Sequence, residues 1–362
     1  MLAEYTKSMT TRELTEGQFG LIGLPESGYS MKTLAAIKYK QIDHSWLDRF
    51  RHGRLYQQHA KVQLIPLLLL PDGSSMQDST PILEYFETQF PKPSIHPENP
   101  ALRFLSEVLE EYGDEWANKL MFQYRWGYTA DQQRRSISLA EGAIAGFSSR
   151  RIGRYLGRLF APFIVRRMVP RMAFAGANEN NRPLLVESFA NLVDMLEIHL
   201  QGRSFLLGER PCFGDFGLWG QMYQAYTDPS CEAILNSRAP HVVSWIERML
   251  SPEKLGNFES LNTLESTLSP IFAREVGPRF LAWSDANAIA WQANEPQTNL
   301  VMDGRTYFQK TFKYPALTLE VLRQKYESVR ADIELIKFLR STGCDRYFVS
   351  MVAKMLVNSK NV

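Results

Sequence analysis

The chain has 362 residues, enough for two domains or slightly more, and its 44% hydrophobic and 22% charged residues are close to the average of globular proteins. This composition excludes a largely disordered chain and a fibrous repeat. The 41 Lys and Arg residues nearly balance the 39 Asp and Glu residues, so the net charge of +2 gives no overall basic field for nucleic acid. Three cysteines cannot form a disulfide framework, and a reducing compartment is therefore expected.

Predicted strands and helices alternate over the first ninety residues. Residues 1–18 are predicted to be a polar leader without the apolar centre of a signal peptide, so a cytoplasmic protein is expected. Two predicted strands are short apolar runs bounded by Gly or Pro, 19–24 and 64–70. A less clear strand is predicted at 42–50, and a brief one runs through Met76. The predicted helices are 29–40, a helix or loop at 51–61, and 78–90, which begins with Asp-Ser ahead of Pro81.

Residues 19–90 therefore contain a β-α-β unit followed by a β-β-α unit. The first two strands are joined through a helix and must be parallel, whereas the turn PDGS (71–74) joins the last two as a hairpin. We predict a four-stranded mixed sheet flanked by helices.

Helical periodicity dominates the remainder of the chain. Four prolines in PKPSIHPENP (91–100) predict a linker, residues 101–255 are predicted to be an all-α domain, and 256–362 a mostly helical extension. Asp303-Gly304 between apolar runs predicts one hairpin at 299–312. The predicted helices are 101–125, 131–158, 182–201, 213–226, 239–250, 315–328 and 331–341.

Four motifs in this order resemble those of the cytosolic glutathione transferase family. They are SGYSMKTLAAIKYKQI (27–42), Ile65-Pro66 before the third strand, DSTPI (78–82) and LLGERPCFGDFGLW (206–219). The resemblance spans residues 19 to about 255. It implies an α/β thioredoxin-like glutathione-binding domain over 19–90 and an all-α helical C-terminal domain, with residues 256–362 as a long extension.

The resemblance places the catalytic group in the first turn. A free thiol has a pKa of about 8.5, so a hydroxyl donor and a helix N-terminus would both favour the thiolate of glutathione. Ser27 aligns with the first-turn Ser or Cys of the family, with Tyr29 and Ser30 as close alternatives. No cysteine lies in this turn, which favours thiolate activation over mixed-disulfide chemistry. The competing interpretation of Ser27 is a simple helix cap.

The resemblance also assigns the residues that would hold the glutathione peptide. The backbone of Ile65, ahead of a cis Pro66, would pair with the peptide as an added strand would. The ammonium group of the γ-glutamyl end would lie at Asp78, and its carboxylate at Ser79 on a helix N-terminus. The competing interpretations are an ordinary trans proline and two residues that only cap a helix.

Two positions depart from the family pattern. The polar residue expected just before the cis proline, for the glycine carboxylate, is represented by Gln63 or by Lys61 further back. Cys212 replaces the usual capping Ser or Thr of the later helix, although Asp215 can still accept from the Cys212 N–H.

The segment FSSRRIGRYLGRLFAPFIVRRMVPRM (147–172) contains seven Arg and no acidic residue. Three interpretations stay open for it. It is a basic amphipathic helix with weak contact to an anionic membrane, or a helical hairpin broken near Pro162 with solvated arginines and a buried apolar stripe. It could also line the glutathione or acidic-substrate cleft.

The remaining residues support no other chemistry. The six His and three Cys lack metal-ligand or redox spacing, and no phosphate-binding glycine motif occurs, so neither a metal nor a nucleic-acid partner is expected. The resemblance implies a homodimer that conjugates glutathione, as co-substrate, to a small hydrophobic electrophile. Two alternatives stay open: a glutathione-dependent isomerase, dehalogenase or ether-cleaving enzyme, and a non-catalytic binding or assembly protein.

Overall fold

The computed structural model describes residues 17–145 and 150–348. The chain divides into two compact units. Among the described residues, the first unit comprises 17–95, 124–145, 150–172 and 216–254, and the second comprises 96–123, 173–215 and 255–348. None of the helices in the described ranges has the length and apolar character needed to cross a membrane. The domain boundaries predicted at 91–100 and 255–256 stay predictions.

The N-terminal sheet has four strands in the order β2-β1-β3-β4, with β1 and β2 parallel and the other two pairs antiparallel. This confirms the predicted mixed sheet. The strands are β1 (Phe19–Gly23), β2 (His44–Asp48), β3 (Leu67–Leu69) and β4 (Ser75–Gln77). The helices around them are α1 (Gly28–Tyr39), α2 (Gly53–His59) and α3 (Ser79–Gln89).

The core beside this sheet consists of apolar side chains from β1, β2, β3 and α2. Ile22, Leu47, Tyr56, Leu67 and Leu69 form one buried cluster. Strands that are apolar at successive positions need cover on both faces, which explains why helices flank this sheet. Each such side chain contributes about 1.5–3 kcal/mol when it is fully buried.

The rest of the described chain is helical apart from one hairpin. The helices are α4 (Pro100–Glu111), α5 (Asn118–Gly127), α6 (Thr129–Ala145), α7 (Arg150–Met168), α8 (Arg182–His199), α9 (Phe213–Tyr226), α10 (Pro229–Arg238), α11 (Pro240–Arg248), α12 (Leu261–Ile271), α13 (Ala282–Gln292), α14 (Lys313–Val329), α15 (Ile333–Ser341) and α16 (Asp345–Phe348). Two π-helical segments, Tyr112–Ala117 and Phe272–Leu281, connect α4 to α5 and α12 to α13, and a 3-10 turn covers Val169–Ala173.

The prediction of one helix over 131–158 is wrong, because α6 and α7 are separate helices. Residues 147–149 of the Arg-rich segment lie outside the described residues. The predicted break near Pro162 is also wrong, since α7 continues through this residue. The expected buried stripe is wrong as well, because Leu159, Phe160 and Phe163 are exposed by 63%, 50% and 69%.

Two local predictions for the second unit are confirmed. Strands β5 (Gln297–Met302) and β6 (Arg305–Lys310) form the antiparallel hairpin, with Asp303 and Gly304 at φ +47° and +72° as a type I′ turn requires. The carboxylate of Asp215 accepts from the backbone N–H of Cys212 at 2.9 Å and from that of Leu206 at 2.9 Å. The contact that Asp215 makes in a capping box therefore forms, as predicted.

The two π-helical segments of the second unit contribute to one buried polar cluster. Glu275 accepts a short hydrogen bond from the Ser188 hydroxyl, which itself accepts from the Trp116 indole N–H at 3.0 Å. The Tyr112 hydroxyl lies 3.5 Å from the same carboxylate. Burial raises the pKa of Glu275 to about 8, so this carboxyl group is largely protonated at neutral pH.

Candidate functional site

The register of the N-terminal sheet brings three predicted motifs to one edge. Ile22 of β1 pairs with Leu67 of β3, and Leu67 pairs with Gln77 of β4. The next residues in the same direction are Gly23 at the end of β1, Pro66 just before β3 and Asp78 just after β4. Because neighbouring strands are about 4.8 Å apart, this row spans roughly 10 Å. The turn that leads to Ser27 leaves the sheet from the same row.

Ser27 occupies the N-cap of α1. Its backbone is extended, with φ −102° and ψ 117°, and its hydroxyl oxygen accepts from the Ser30 N–H at 3.2 Å. The side chain is half-buried. The hydroxyl therefore lies at the positive end of the α1 dipole, and the capping interpretation describes its contact in this structure.

The two alternatives to Ser27 have different surroundings. Ser30 is fully buried, and its hydroxyl lies 3.4 Å from the backbone N–H of Leu24. A Cβ on Gly23 would lie 2.8 Å from the Ser30 Cβ, so Ser30 packs tightly against β1. Tyr29 is half-buried, and its backbone carbonyl accepts from the Thr33 hydroxyl. Ser30 thus packs into the interior, which leaves Ser27 and Tyr29 as the candidates at the site.

Two side chains fix the segment that precedes β3. The Gln77 amide donates to the carbonyls of Val62 at 2.9 Å and Leu64 at 2.8 Å, while its oxygen accepts from the Lys61 and Val62 N–H groups. The Tyr56 hydroxyl lies 2.8 Å from the carbonyl of Leu64. These contacts hold the segment that carries the next residue of the site, Ile65.

The Ile65–Pro66 peptide bond is cis, as the resemblance implied. Among the described residues, no hydrogen bond involves the backbone N–H or C=O of Ile65. Buried backbone polar groups are nearly always paired, but Ile65 is only half-buried. Its backbone groups are therefore available to an extended peptide.

Gln63 is exposed, and a cation that sequence reasoning missed lies beside it. The Arg49 guanidinium lies 3.5 Å from the Gln63 side-chain oxygen and 3.6 Å above the centre of the Tyr56 ring. No signal in the sequence pairs Arg49 with Gln63, because they are 14 residues apart on different segments. Lys61, the other predicted candidate, is exposed.

Asp78 has an unusual backbone at the start of α3. Its φ of +81° and ψ of 126° lie in a region that non-glycine residues rarely adopt, and its side chain does not cap the helix. Such strained residues cluster at ligand-binding and active sites, where the surrounding structure holds them. Ser79, the first residue of α3, is almost fully buried.

Lys32, a second cation that was not predicted from the sequence, lies next to the start of α3. The Lys32 ammonium donates to the Thr80 hydroxyl at 3.0 Å, and the Lys32 side chain is fully buried. Its position inside the apolar sequence of α1 gave no sign of this contact. The positive charge of Lys32 adds to the positive end of the α3 dipole.

The turn between β1 and α1 is fixed by a buried ionic network in the first unit. Arg125 donates to the Glu26 carbonyl at 3.2 Å and to Asp228 at 2.7 Å. The Gln224 amide donates to the Pro25 carbonyl at 2.8 Å. Burial, with the nearby charge of a second arginine, lowers the pKa of Arg125 to about 10, so it stays charged at neutral pH. The network positions the residue before Ser27.

Comparison with known families agrees with this geometry. Residues 21–94 match the family described as "Glutathione S-transferase, N-terminal domain". These residues form a glutathione S-transferase N-terminal domain. The matched range contains the whole candidate site, from the turn before Ser27 to Ser79, and members of this family bind glutathione. No curated protein matches the sequence.

Two solved structures are similar to parts of the chain at low identity. One is a glutathione S-transferase of Methylobacterium radiotolerans in complex with glutathione sulfonate, 18% identical, covering 64% of this chain and 90% of that one, with a TM-score of 0.40. Another is the β-etherase LigF of Sphingobium sp. strain SYK-6, 18% identical over 64% and 94% of the two chains, with a TM-score of 0.43. Likeness at this level carries no functional inference.

Proposed function

We propose that the glutathione S-transferase N-terminal domain binds glutathione along the row Gly23–Pro66–Asp78 and that the protein transfers the glutathione thiolate to a small hydrophobic electrophile. The observation that carries this proposal is the strand register, which aligns the α1 turn, the Ile65 backbone and the strained Asp78 at one edge. Glutathione is a tripeptide with a thiol in its middle residue. A site for it therefore needs three sets of binding groups in a row, one for each end of the peptide and one for the sulfur.

The thiol end of this site is Ser27. Its hydroxyl can donate to a thiolate, and the N-terminus of α1 adds a partial positive charge. Each pKa unit by which these groups favour the thiolate corresponds to about 1.36 kcal/mol. In the transfer the thiol proton goes to solvent, a carbon–sulfur bond forms, and the leaving group departs with its electron pair.

The γ-glutamyl end lies at the start of α3. The Asp78 carboxylate complements the ammonium group, whereas the N-terminus of α3 with the buried Lys32 complements the carboxylate. The strained backbone of Asp78 is consistent with a residue held in place for a ligand.

The glycine end lies on the opposite side of Ile65. Gln63 and Arg49 are in contact there and provide an amide and a guanidinium for the terminal carboxylate. In this proposal Arg49 supplies the positive charge that this chain lacks at Gln63 itself.

Glutathione binding measured by isothermal titration calorimetry tests the site. Asp78→Asn should weaken binding by about tenfold or more, because a hydrogen bond to a charged group contributes about 1.5–3 kcal/mol. Asp72→Asn is the matched control, since Asp72 lies on the exposed turn before β4 and contacts only Ser74 in the described structure. Equal losses in the two variants, or none in Asp78→Asn, would show that the peptide lies elsewhere.

Conjugation of an aryl halide tests the reaction. Ser27→Ala should lower the turnover number by at least about tenfold while glutathione still binds, because Ser27 acts on the thiolate. A protein that binds no glutathione at millimolar concentration contradicts the whole proposal. Glutathione binding without any thiol-dependent turnover would favour the non-catalytic binding or assembly protein. Turnover of other substrate types would favour the isomerase, dehalogenase or ether-cleaving alternatives. Homodimerisation in the cytoplasm stays a prediction.

A further inference from the structure

Helix α7 packs against α6 through its small residues. Gly153, Gly157 and Ala161 recur every four residues and are buried. A Cβ on Gly153 would lie 2.9 Å from the Glu141 carbonyl oxygen, and one on Gly157 would lie 2.6 Å from the Glu141 Cγ. The two helices are therefore in close contact along a face that has no room for large side chains.

The large apolar residues of α7 lie on a different face. Ile152, Tyr155, Leu159 and Phe163 follow a spacing of three or four residues and are exposed by 49%, 77%, 63% and 69%. Phe160 is 50% exposed beside Phe163, with ring centres 6.2 Å apart. We call these five residues the α7 stripe. A surface helix normally turns such residues toward the core, and an exposed apolar patch usually marks an interaction surface.

The same helix carries a high positive charge. Six Arg occur in α7 and a seventh, Arg171, follows in the 3-10 turn, and no acidic residue occurs between 147 and 172. Of the arginines whose side chains the structure describes, Arg158, Arg166, Arg167 and Arg171 are all exposed. The surface around the α7 stripe is thus both apolar and cationic.

These two properties together select the partner. A second copy of the chain would place this surface against itself in a two-fold interface, and the arginines would repel each other. Nucleic acid supplies phosphates but leaves an exposed aliphatic residue such as Leu159 without an apolar partner. A bilayer surface with anionic headgroups supplies both phosphates and acyl chains at the depth that an amphipathic helix reaches.

We propose that α7 is a docking surface for anionic lipid bilayers. The α7 stripe inserts between headgroups, and the surrounding arginines bind lipid phosphates. The helix lies in the interface and does not cross the bilayer. This proposal is independent of glutathione binding, because it uses no residue of the glutathione site.

Vesicle co-sedimentation of the full chain tests the proposal. We expect binding to phosphatidylcholine vesicles that contain phosphatidylserine and little binding to phosphatidylcholine alone, with only partial loss at about 0.5 M salt. Leu159→Gln/Phe163→Gln should lower the partition coefficient at least about tenfold. Arg166→Gln/Arg167→Gln should lower it about 30-fold at low salt, since each arginine near the surface contributes about 1 kcal/mol.

The matched control is Leu317→Gln/Ile333→Gln, which removes two exposed apolar residues outside α7 and should leave partition unchanged. All substituted residues are exposed, so the far-ultraviolet circular dichroism should stay that of the wild type. The proposal is overturned by the absence of vesicle binding, by equal binding to both lipids, or by a stripe variant that binds as well as the control. It is also overturned if light scattering shows that the wild type is a dimer and Leu159→Gln/Phe163→Gln a monomer, while the wild type does not bind vesicles.

Discussion

Asp228→Asn tests whether the buried network behind the α1 turn is a structural requirement of the first unit. Asp228 accepts from Arg125 at 2.7 Å through one carboxylate oxygen and from Arg135 at 2.7 Å and 3.0 Å through the other. The exposure of the three side chains does not exceed 7%. Asparagine retains the volume but removes the carboxylate charge that both buried guanidinium groups contact. Removing one partner of a buried ion pair costs about 3–5 kcal/mol, so we expect the free energy of unfolding to fall by this amount.

A neighbouring ion pair provides the control. Glu232 of α10 lies 3.2 Å from Arg134, but the two side chains are 39% and 55% exposed. Glu232→Gln should therefore change the free energy of unfolding by less than about 1 kcal/mol. Arg135→Met added to Asp228→Asn should recover part of the loss, because it removes one unpaired charge.

The assay is equilibrium urea denaturation of the three variants, followed by circular dichroism, together with amide hydrogen exchange of the turn before Ser27. Exchange in this turn should accelerate in Asp228→Asn, since Arg125 also holds the Glu26 carbonyl. An Asp228→Asn protein within 1 kcal/mol of the wild type, or no more destabilised than Glu232→Gln, would refute the reasoning.

Two further substitutions test other parts of the structure. Native Glu275 keeps its proton up to a pKa of about 8, whereas its ordinary value is 4.5, so this group makes the fold less stable as pH rises between these values. At 1.36 kcal/mol per pKa unit, the loss of stability approaches about 5 kcal/mol. Thermal unfolding of Glu275→Gln from pH 4 to 9 should not show this loss. If the variant has the same pH profile as the wild type, the raised pKa of Glu275 is contradicted. Gly28→Ala would place a Cβ 2.8 Å from the Gly220 carbonyl and should cost about 1–3 kcal/mol in thermal unfolding. Gly53→Ala, whose Cβ would meet nothing closer than 3.7 Å, should be neutral; equal melting temperatures for the two alanine variants contradict the close approach.

The N-terminal sheet was predictable because its signals are local. Apolar runs end at Gly, Pro and Asp residues, and the turn PDGS and the Asp-Ser helix start act within a few residues. Within the extension predicted to be mostly helical, the bounds of the helical run Leu261–Gln292 were not predicted, for the opposite reason. Pro270 and Pro278 usually end helices, but here a π-helical segment accommodates the local change in hydrogen bonding. Helix α10 was missed because it buries only Cys231 and Leu235 among its apolar residues, which leaves little periodicity.

The candidate site was only partly predictable for a related reason. Ser27, Ile65 and Asp78 belong to motifs that are recognisable along the chain. Lys32 and Arg49 join them through contacts across 48 and 14 residues, which depend on the fold. Periodicity describes one element at a time and contains no information on which partner a charged side chain meets.

For helix α7, the sequence likewise does not determine which face of the helix is buried. Its sequence contains two stripes at helical spacing, one of large apolar residues and one of Gly153, Gly157 and Ala161. Hydrophobicity favours burial of the large apolar residues. Close packing against Glu141 and Ala145 of α6, however, has room only for the small residues. The contact between α6 and α7 therefore does not depend on Leu159 or Phe163. These residues can be replaced without loss of the helix pair, and a loss of lipid binding in such a variant would report on the exposed surface itself.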